Sequence, residues 1–419
     1  MAFARSSVSA PIPTRSIPAP AATAGAGAPR RWIWAAAWPV TAVFMLSNAA
    51  TPLYVLWQHS IGFSKGTLTV VFACYIAGLL ASLLVSGIAS DRLGRKVVLL
   101  PALALGLVAC AVFATAESVA ALIVARLLTG IAVGAVVSAG MAAVTDVAGP
   151  ARRPLAALVA SCAMVVGAGL GPLLAGVLAQ TLPGPTVTVF ALEAALLLTA
   201  VVTVLRMPLR RPQERGQGRW VRIPGVPAEG RVPLLLGIAA FAPGITATSF
   251  VLSLGPSLLA GLLHSSSRIL AGAMAFVMFT AATGAQFAVQ RAKRRQVLLA
   301  SGAATVLAMA VLVAAVRSGS VVLLVLAAVL AGAGQGLGQL AGLSLLSAAV
   351  PTERLAEANA ALNVGGYLPA GLLPVAAGYL SDAIGLTTGA TVFAAVLAGL
   401  ALLGGVLVTA NRRRIVEPR

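Results

Sequence analysis

Two ionisable residues stand where ionisable residues cost most. Arg126 lies in "LIVARLLTG" (122–130), and no other charge occurs from Ser118 to Thr145. Glu193 lies in "TVFALEAALLL" (188–198), an equally apolar run. A charge held at the centre of a bilayer costs roughly 3 kcal/mol or more, so such residues are kept for function or are paired. Arg126 falls about eight residues past Ser118, roughly 12 Å along a helix, and Glu193 about seven past Thr186, roughly 10 Å. Both runs start from the same side, so the two side chains are expected at similar depth. There they can interact directly or through water, and one or both can govern proton movement. A fixed ion pair is the competing reading. A buried carboxyl can also rest in its neutral, protonated form. For Arg126 alone, the long side chain reaching up to the interface is a further alternative.

Two other stretches have the composition of moving parts. The turn "GIASDRLGRKVVL" (87–99) places Gly87, Asp91, Arg92, Gly94, Arg95 and Lys96 between two apolar runs. A short loop needs a glycine and basic charge, but that need does not account for Asp91. "GAGLGPLLAG" (167–176) carries Gly167, Gly171, Pro172 and Gly176 in one apolar run. Small residues let helices approach closely, and proline removes a backbone hydrogen bond and kinks its helix.

The elements that hold these residues are membrane spans. Of 419 residues, 59% are hydrophobic and 9% charged, where a soluble chain carries roughly 25% charged residues. Apolar runs of about 20 residues, each able to cross a core roughly 30 Å thick, recur from Trp32 to Thr409. They place spans near 32–57, 67–89, 97–116, 118–145, 155–181 and 186–206, then 232–262, 268–289, 297–316, 320–349, 357–381 and 386–410. The expected fold is all-α and polytopic, with twelve transmembrane helices in two pseudo-symmetric six-helix bundles and both termini cytoplasmic. The expected parts are a disordered tail (1–31), a first bundle (32–206), a basic cytoplasmic linker (207–231), a second bundle (232–410) and a short tail (411–419). The net charge of +19 does not point to nucleic acid. Lys65, Arg268 and Arg317 fall in the outer loops and Arg126 within a span, while every other Lys and Arg falls in the tails, linker and even-numbered loops. That asymmetry is the positive-inside pattern.

The two halves repeat. A shift of 202 carries Gly130 onto Gly332, Gly134 onto Gly336, Gly140 onto Gly342, Arg152 onto Arg354, Gly169 onto Gly371, Pro172 onto Pro374 and Gly176 onto Gly378. Arg126 falls on Ala328, so its charge belongs to one half only. A duplicated six-plus-six arrangement is a transporter architecture with its site between the halves near the midplane. Cys74, Cys110 and Cys162 lie inside spans, and no Cys/His spacing indicates a metal site. No cofactor is expected, and no G-x-x-x-x-G-K-[ST] sequence supports ATP drive.

The turn at 87–96 matches G-x-x-x-D-R-x-G-R-R/K, the signature between the second and third helices of the major facilitator superfamily, which the chain therefore resembles. The stretch 167–176 is similar to the family's antiporter signature G-x-x-x-G-P-x-x-G-G, with Ala175 replacing the penultimate glycine. "ARLLTGIAVG" (125–134) resembles the fourth helix of family exporters, with their buried arginine. The resemblance implies that Asp91 faces the start of the eleventh helix, near 357–360, and that Arg95 pairs with Asp146, latching the cytoplasmic side. The loop "QRAKRRQ" has no acid, so this latch is one-sided. The resemblance also implies a cavity lined by the first, fourth, seventh and tenth helices. Residues available to it are Asn48, Tyr54, Thr246, Thr248, Ser249, Gln335 and Gln339, with Asn363 and Tyr367 in the eleventh. Any of these could instead bond across a helix contact. The expected function is a proton-coupled antiporter, monomeric and in a bacterial cell membrane, exporting a hydrophobic or weakly polar small molecule such as a drug or secondary metabolite. A metabolite importer and a non-transporting sensor are the alternatives. An enzyme ranks last, for want of a nucleophile–base constellation.

Overall fold

The structure, a computed structural model, describes residues 29–209, 220–221, 224–261 and 267–415. Most of the expected N-terminal tail and part of the linker lie outside these residues. Among the described residues there is no strand, and twelve helices are long and apolar enough to cross a membrane. The first bundle holds α1 (Arg30–Gly62), α2 (Lys65–Leu93), α3 (Arg95–Ala114), α4 (Val119–Ala148), α5 (Pro150–Thr181) and α6 (Pro185–Arg206). The second holds α7 (Ala228–Gly261), α8 (Arg268–Ala288), α9 (Arg294–Ser318), α10 (Val321–Ala349), α11 (Leu355–Ile384) and α12 (Leu386–Ala410). Both ends of the described chain lie on one face, called here the terminal face.

Local chemistry sets the helix starts. On the opposite face, Ser64, Ser118, Ser267 and Ser320 cap α2, α4, α8 and α10, each accepting from the backbone N–H three residues on. Such a cap satisfies one of the orphan donors of a helix start. The caps repeat across the halves, as the glycines do. At the terminal face Gly94 adopts φ +100° between α2 and α3, a conformation that needs a residue without Cβ. Two helices are irregular: α1 breaks into a 3-10 turn at Thr51–Leu53, and α4 contains a π-turn at Val136–Gly140. The duplicate of α4, α10, is regular throughout.

Glycine decides how the helices meet. A Cβ on Gly130 of α4 would overlap the Tyr75 carbonyl oxygen of α2, and one on Gly332 of α10 would overlap the Met278 carbonyl oxygen of α8. One turn on, Gly134 meets the Leu79 carbonyl and Gly336 the Ala282 carbonyl in the same way. The repeat read from sequence is therefore a repeat of backbone contacts. Between the halves, Gly176 of α5 lies on the Arg268 carbonyl of α8, and Gly378 of α11 on Lys65 and Thr69 of α2. These two seams are also symmetry mates.

Backbone cannot yield as a flexible side chain does, and overpacking costs roughly 1–3 kcal/mol. Gly130→Ala and Gly332→Ala should each lower the melting temperature of the detergent-purified protein by several degrees. Gly399→Ala, whose Cβ would meet nothing within 4 Å, should leave it unchanged. Thermal-shift size-exclusion measurements check both.

Candidate transport pathway and its gates

Arg126 has no exposed surface. Its Nη1 donates to the Ser47 carbonyl oxygen at 2.7 Å, just before α1 breaks at Pro52, which has no N–H to continue the helix. Four rings surround the guanidinium carbon: Tyr54 at 5.0 Å, Phe72 and Phe113 at 5.8 Å and Tyr75 at 5.9 Å. Ring faces attract a cation within about 6 Å but accept no hydrogen bond in its plane, and Nε and Nη2 have no partner.

Glu193, on α6, is 2% exposed, and its Oε2 also has no partner. No ion pair within 4 Å joins it to Arg126; the direct contact expected from equal depth is not made. Phe113, one of the rings around Arg126, stacks at 4.7 Å on Phe190, one turn before Glu193, and Trp57 stacks on both. Glu193 faces Cys110 of α3 instead.

The expected cavity residues divide. Asn48 donates to Ser47 Oγ at 3.0 Å. The Thr246 and Thr248 hydroxyls donate to carbonyls of their own helix, Ala242 and Ile245, which leaves each able only to accept. Ser249 is buried, and its carbonyl accepts from Ser253. Gln335 Oε1 has no partner. Gln339, Asn363 and Tyr367 are half-buried, and the Tyr367 ring packs edge-on against Phe241 at 6.0 Å. Tyr54 is wholly buried beside Arg126. Tyr75, which sequence reading passed over, is half-buried, borders Arg126 and faces Tyr367 of the other bundle.

The stretch 167–176 is only partly a seam between halves. Gly167 and Gly171 lie on the Thr41 and Met45 carbonyls of α1, within the same bundle. Other positions cross: Gly169 lies against Phe276 of α8, the Pro172 carbonyl against Gly272 and Gly176 against Arg268. Gly167 and Gly171, one turn apart, share the face toward α1, while Gly169 and Gly176 point to α8.

At the terminal face, Arg95 bridges two acids, donating from Nε to Asp146 Oδ2 at 2.9 Å and from Nη1 to Asp91 and to Ser90 Oγ. The Arg95–Asp146 pair is the one expected. Lys96 donates to the Leu205 carbonyl at 2.8 Å at the end of α6, where a cation suits the helix dipole. Arg92 lies 4.8 Å over the Trp220 ring of the linker. Gly87 is half-buried and Gly94 makes the turn. Asp91 does not reach α11; its carboxylate is held by Arg95 in its own bundle, and Glu357 pairs with Arg354 in the other.

The opposite face is closed. Asp382, at the end of α11, accepts from Lys65 N at 3.0 Å and Gly66 N at 2.8 Å, the first donors of α2. Gln180, at the end of α5, accepts from Ile269 N and Ser267 Oγ, both at 3.1 Å, at the start of α8. Residue 180 moved by 202 is residue 382, so the two caps are symmetry mates, one charged and one neutral. Gln58 accepts from Ser257 between α1 and α7. Neither cap was noticed in the sequence, although the repeat offset pairs them.

Two duplicated bundles of six spanning helices, sealed to each other at one face around buried polar groups, define a membrane transporter. Residues 36–291 and 270–419 match the family profile of the Major Facilitator Superfamily, and the chain belongs to that family. It is similar over 101 residues, at 39% identity, to the 3-(3-hydroxy-phenyl)propionate transporter of Escherichia coli (strain K12), covering 24% of this chain and 25% of the relative. It is also similar over 90 residues, at 33% identity, to the multidrug resistance protein MdtL of Escherichia coli O45:K1 (strain S88 / ExPEC), covering 22% and 23%. The chain thus aligns with about a quarter of each curated relative. Among solved structures, a bacterial homolog of the human lysosomal transporter Spinster, inward-facing and unoccupied, shares the fold with a TM-score of 0.73 at 15% identity. It covers 93% of this chain and 98% of that one. A point mutant of the nucleoside transporter NupG gives 0.69 at 15% identity, covering 92% and 100%.

Asp382→Ala removes a charge-assisted cap between the halves and should shift the protein away from closure at this face. In a background with Cys74, Cys110 and Cys162 replaced by serine, electron–electron resonance between spin labels at Leu182→Cys and Ile384→Cys should show a longer mean distance. Gln180→Ala should shift it less.

Proposed function

We propose that the protein is a proton-coupled secondary transporter that exports a hydrophobic or weakly polar small molecule by alternating access. The observation that carries this reading is the hydrogen-bonded closure of one face. Asp382, Gln180, Ser257 and Arg268 make hydrogen bonds between the two bundles at the opposite face. At the terminal face, Asp91 and Glu357 are each paired within their own bundle. A molecule pinned together at one face is read as one end state of a rocking cycle. The basic charge of the linker and tails supports a cytoplasmic terminal face, which makes this the inward-open state of the proposed cycle. In the outward-open state Asp91 meets the start of α11, as Asp382 meets the start of α2 here.

Glu193 is the proposed proton carrier, because it is an acid buried in a span without a fixed partner, which leaves it free to gain and lose a proton. Export is favoured by the 167–176 signature and by the similarity to a multidrug resistance protein. Import of a small organic acid is the second reading, favoured by the similarity to the hydroxyphenylpropionate transporter. The protein is placed as a monomer in a bacterial cell membrane.

In everted vesicles with an acidified lumen, an exporter takes up its substrate and collapses the pH gradient. A panel of lipophilic cations, neutrals and acids, followed by both substrate and pH, tests this. Accumulation by proton symport in whole cells would overturn export. Glu193→Gln should reduce gradient-driven uptake at least about tenfold, a difference of about 1.4 kcal/mol, while sparing substrate exchange without a gradient. Unchanged gradient-driven uptake in this variant removes Glu193 from the coupling.

A further inference from the structure

Around Arg126, donors lack acceptors. Arg126 Nε and Nη2 and Trp57 Nε1 are buried without a hydrogen-bond partner, and the Tyr54 hydroxyl lies beside the guanidinium. Arg126 and Tyr54 are 0% exposed and Trp57 is 1% exposed. Glu193, the acid buried in the same bundle, makes no ion pair with Arg126 among the described residues. A buried guanidinium without an anion is costly, and the Ser47 carbonyl satisfies only Nη1. The unpartnered Nε–Nη2 edge is the side-on face of a guanidinium, two parallel donors that match the two oxygens of a carboxylate. The surrounding walls are ring faces, which pack well against a flat apolar body. Tyr75 is half-buried, borders the guanidinium and lies near Tyr367 of the other bundle.

We infer that Arg126 is a substrate-binding residue that receives a carboxylate on its Nε–Nη2 edge, so that the transported molecule is a flat apolar acid held among Tyr54, Phe72, Tyr75 and Phe113. This inference rests on the transporter reading but not on the direction of transport. It deepens the hydrophobic substrate class with one negative charge. Ala328 at the matching position of α10 means the anchor exists in one half only, so a single carboxylate is bound per molecule.

The full-length protein in lipid nanodiscs is titrated calorimetrically with 2-naphthoate and 4-phenylbutyrate, and with the carboxamide of each. The acids should bind at least about tenfold more tightly than the amides, as charge-assisted bidentate pairing requires, and excess chloride should not displace them. Arg126→Lys keeps the charge but lacks the planar edge. It should abolish most of the preference for acid over amide, with the fold checked by circular dichroism and monodisperse elution. Four results overturn the inference: amides binding as well as acids, neither binding, chloride competing equally, or the lysine variant keeping the full preference. Because the wild-type comparison stands alone, misfolding of the variant does not rescue it. Proteoliposome flux of a neutral or cationic lipophile that these acids do not inhibit would overturn the acid site and leave the transporter reading standing. Absence of carrier-dependent flux for the whole panel would overturn the transporter reading itself.

Discussion

Close approach of helix backbones through glycine is the constraint on which the rest of this structure depends. Lipid tails are as apolar as leucine, so spanning helices gain little by hiding apolar side chains from them; they associate by packing closely. Gly130 and Gly134 bring α4 onto carbonyls of α2, and Gly332 and Gly336 bring α10 onto those of α8. Gly176 and Gly378 make the corresponding approach between the bundles. These seams combine backbone contacts with packing of glycine against large side chains, Gly169 on Phe276 and Gly66 on Tyr379. Close packing within each bundle and between them arises from the same residue type.

The chemistry lies where the duplication is broken. Arg126 has Ala328 as its mate, and Asp382 has Gln180. The acid-bearing turn around Asp91 has a counterpart loop without an acid. The π-turn of α4 at Val136–Gly140 has no equivalent in α10. A symmetric pair of bundles can rock, but it offers a substrate or proton no reason to bind on one side. The buried cation Arg126, the buried acid Glu193 and the Phe113–Phe190–Trp57 stack all lie in the first bundle.

Some of this was legible in the residues. Hydropathy exposes spans directly, since a helix must satisfy its own backbone in lipid, and the repeat offset picked out glycines that prove to be contact points. The Arg95–Asp146 pair followed from the turn signature, because the two helix ends it joins belong to one rigid bundle. Contacts that depend on the state of the molecule were not legible in the same way. Asp91 was expected at the start of α11, but with the opposite face sealed it is held by Arg95. Arg126 and Glu193 were expected to meet because their depths agree, but depth leaves the rotation of each helix undetermined. Phe113, which borders Arg126, stacks instead on Phe190 of the helix that carries Glu193.

By itself the sequence determined the number of spans, their grouping in two repeated halves, and which ionisable groups lie in the membrane, because these follow from solvation energies and residue spacing along single helices. Tertiary structure decided what those groups touch. It gave Arg126 a carbonyl and four rings instead of an acid. It turned the Thr246 and Thr248 hydroxyls onto their own helix, and it joined Asp382 to the start of α2 across a separation of more than three hundred residues. The physical reason is that a side chain's partners depend on helix rotation and on the tilt between bundles. Both are set by packing summed over all twelve helices.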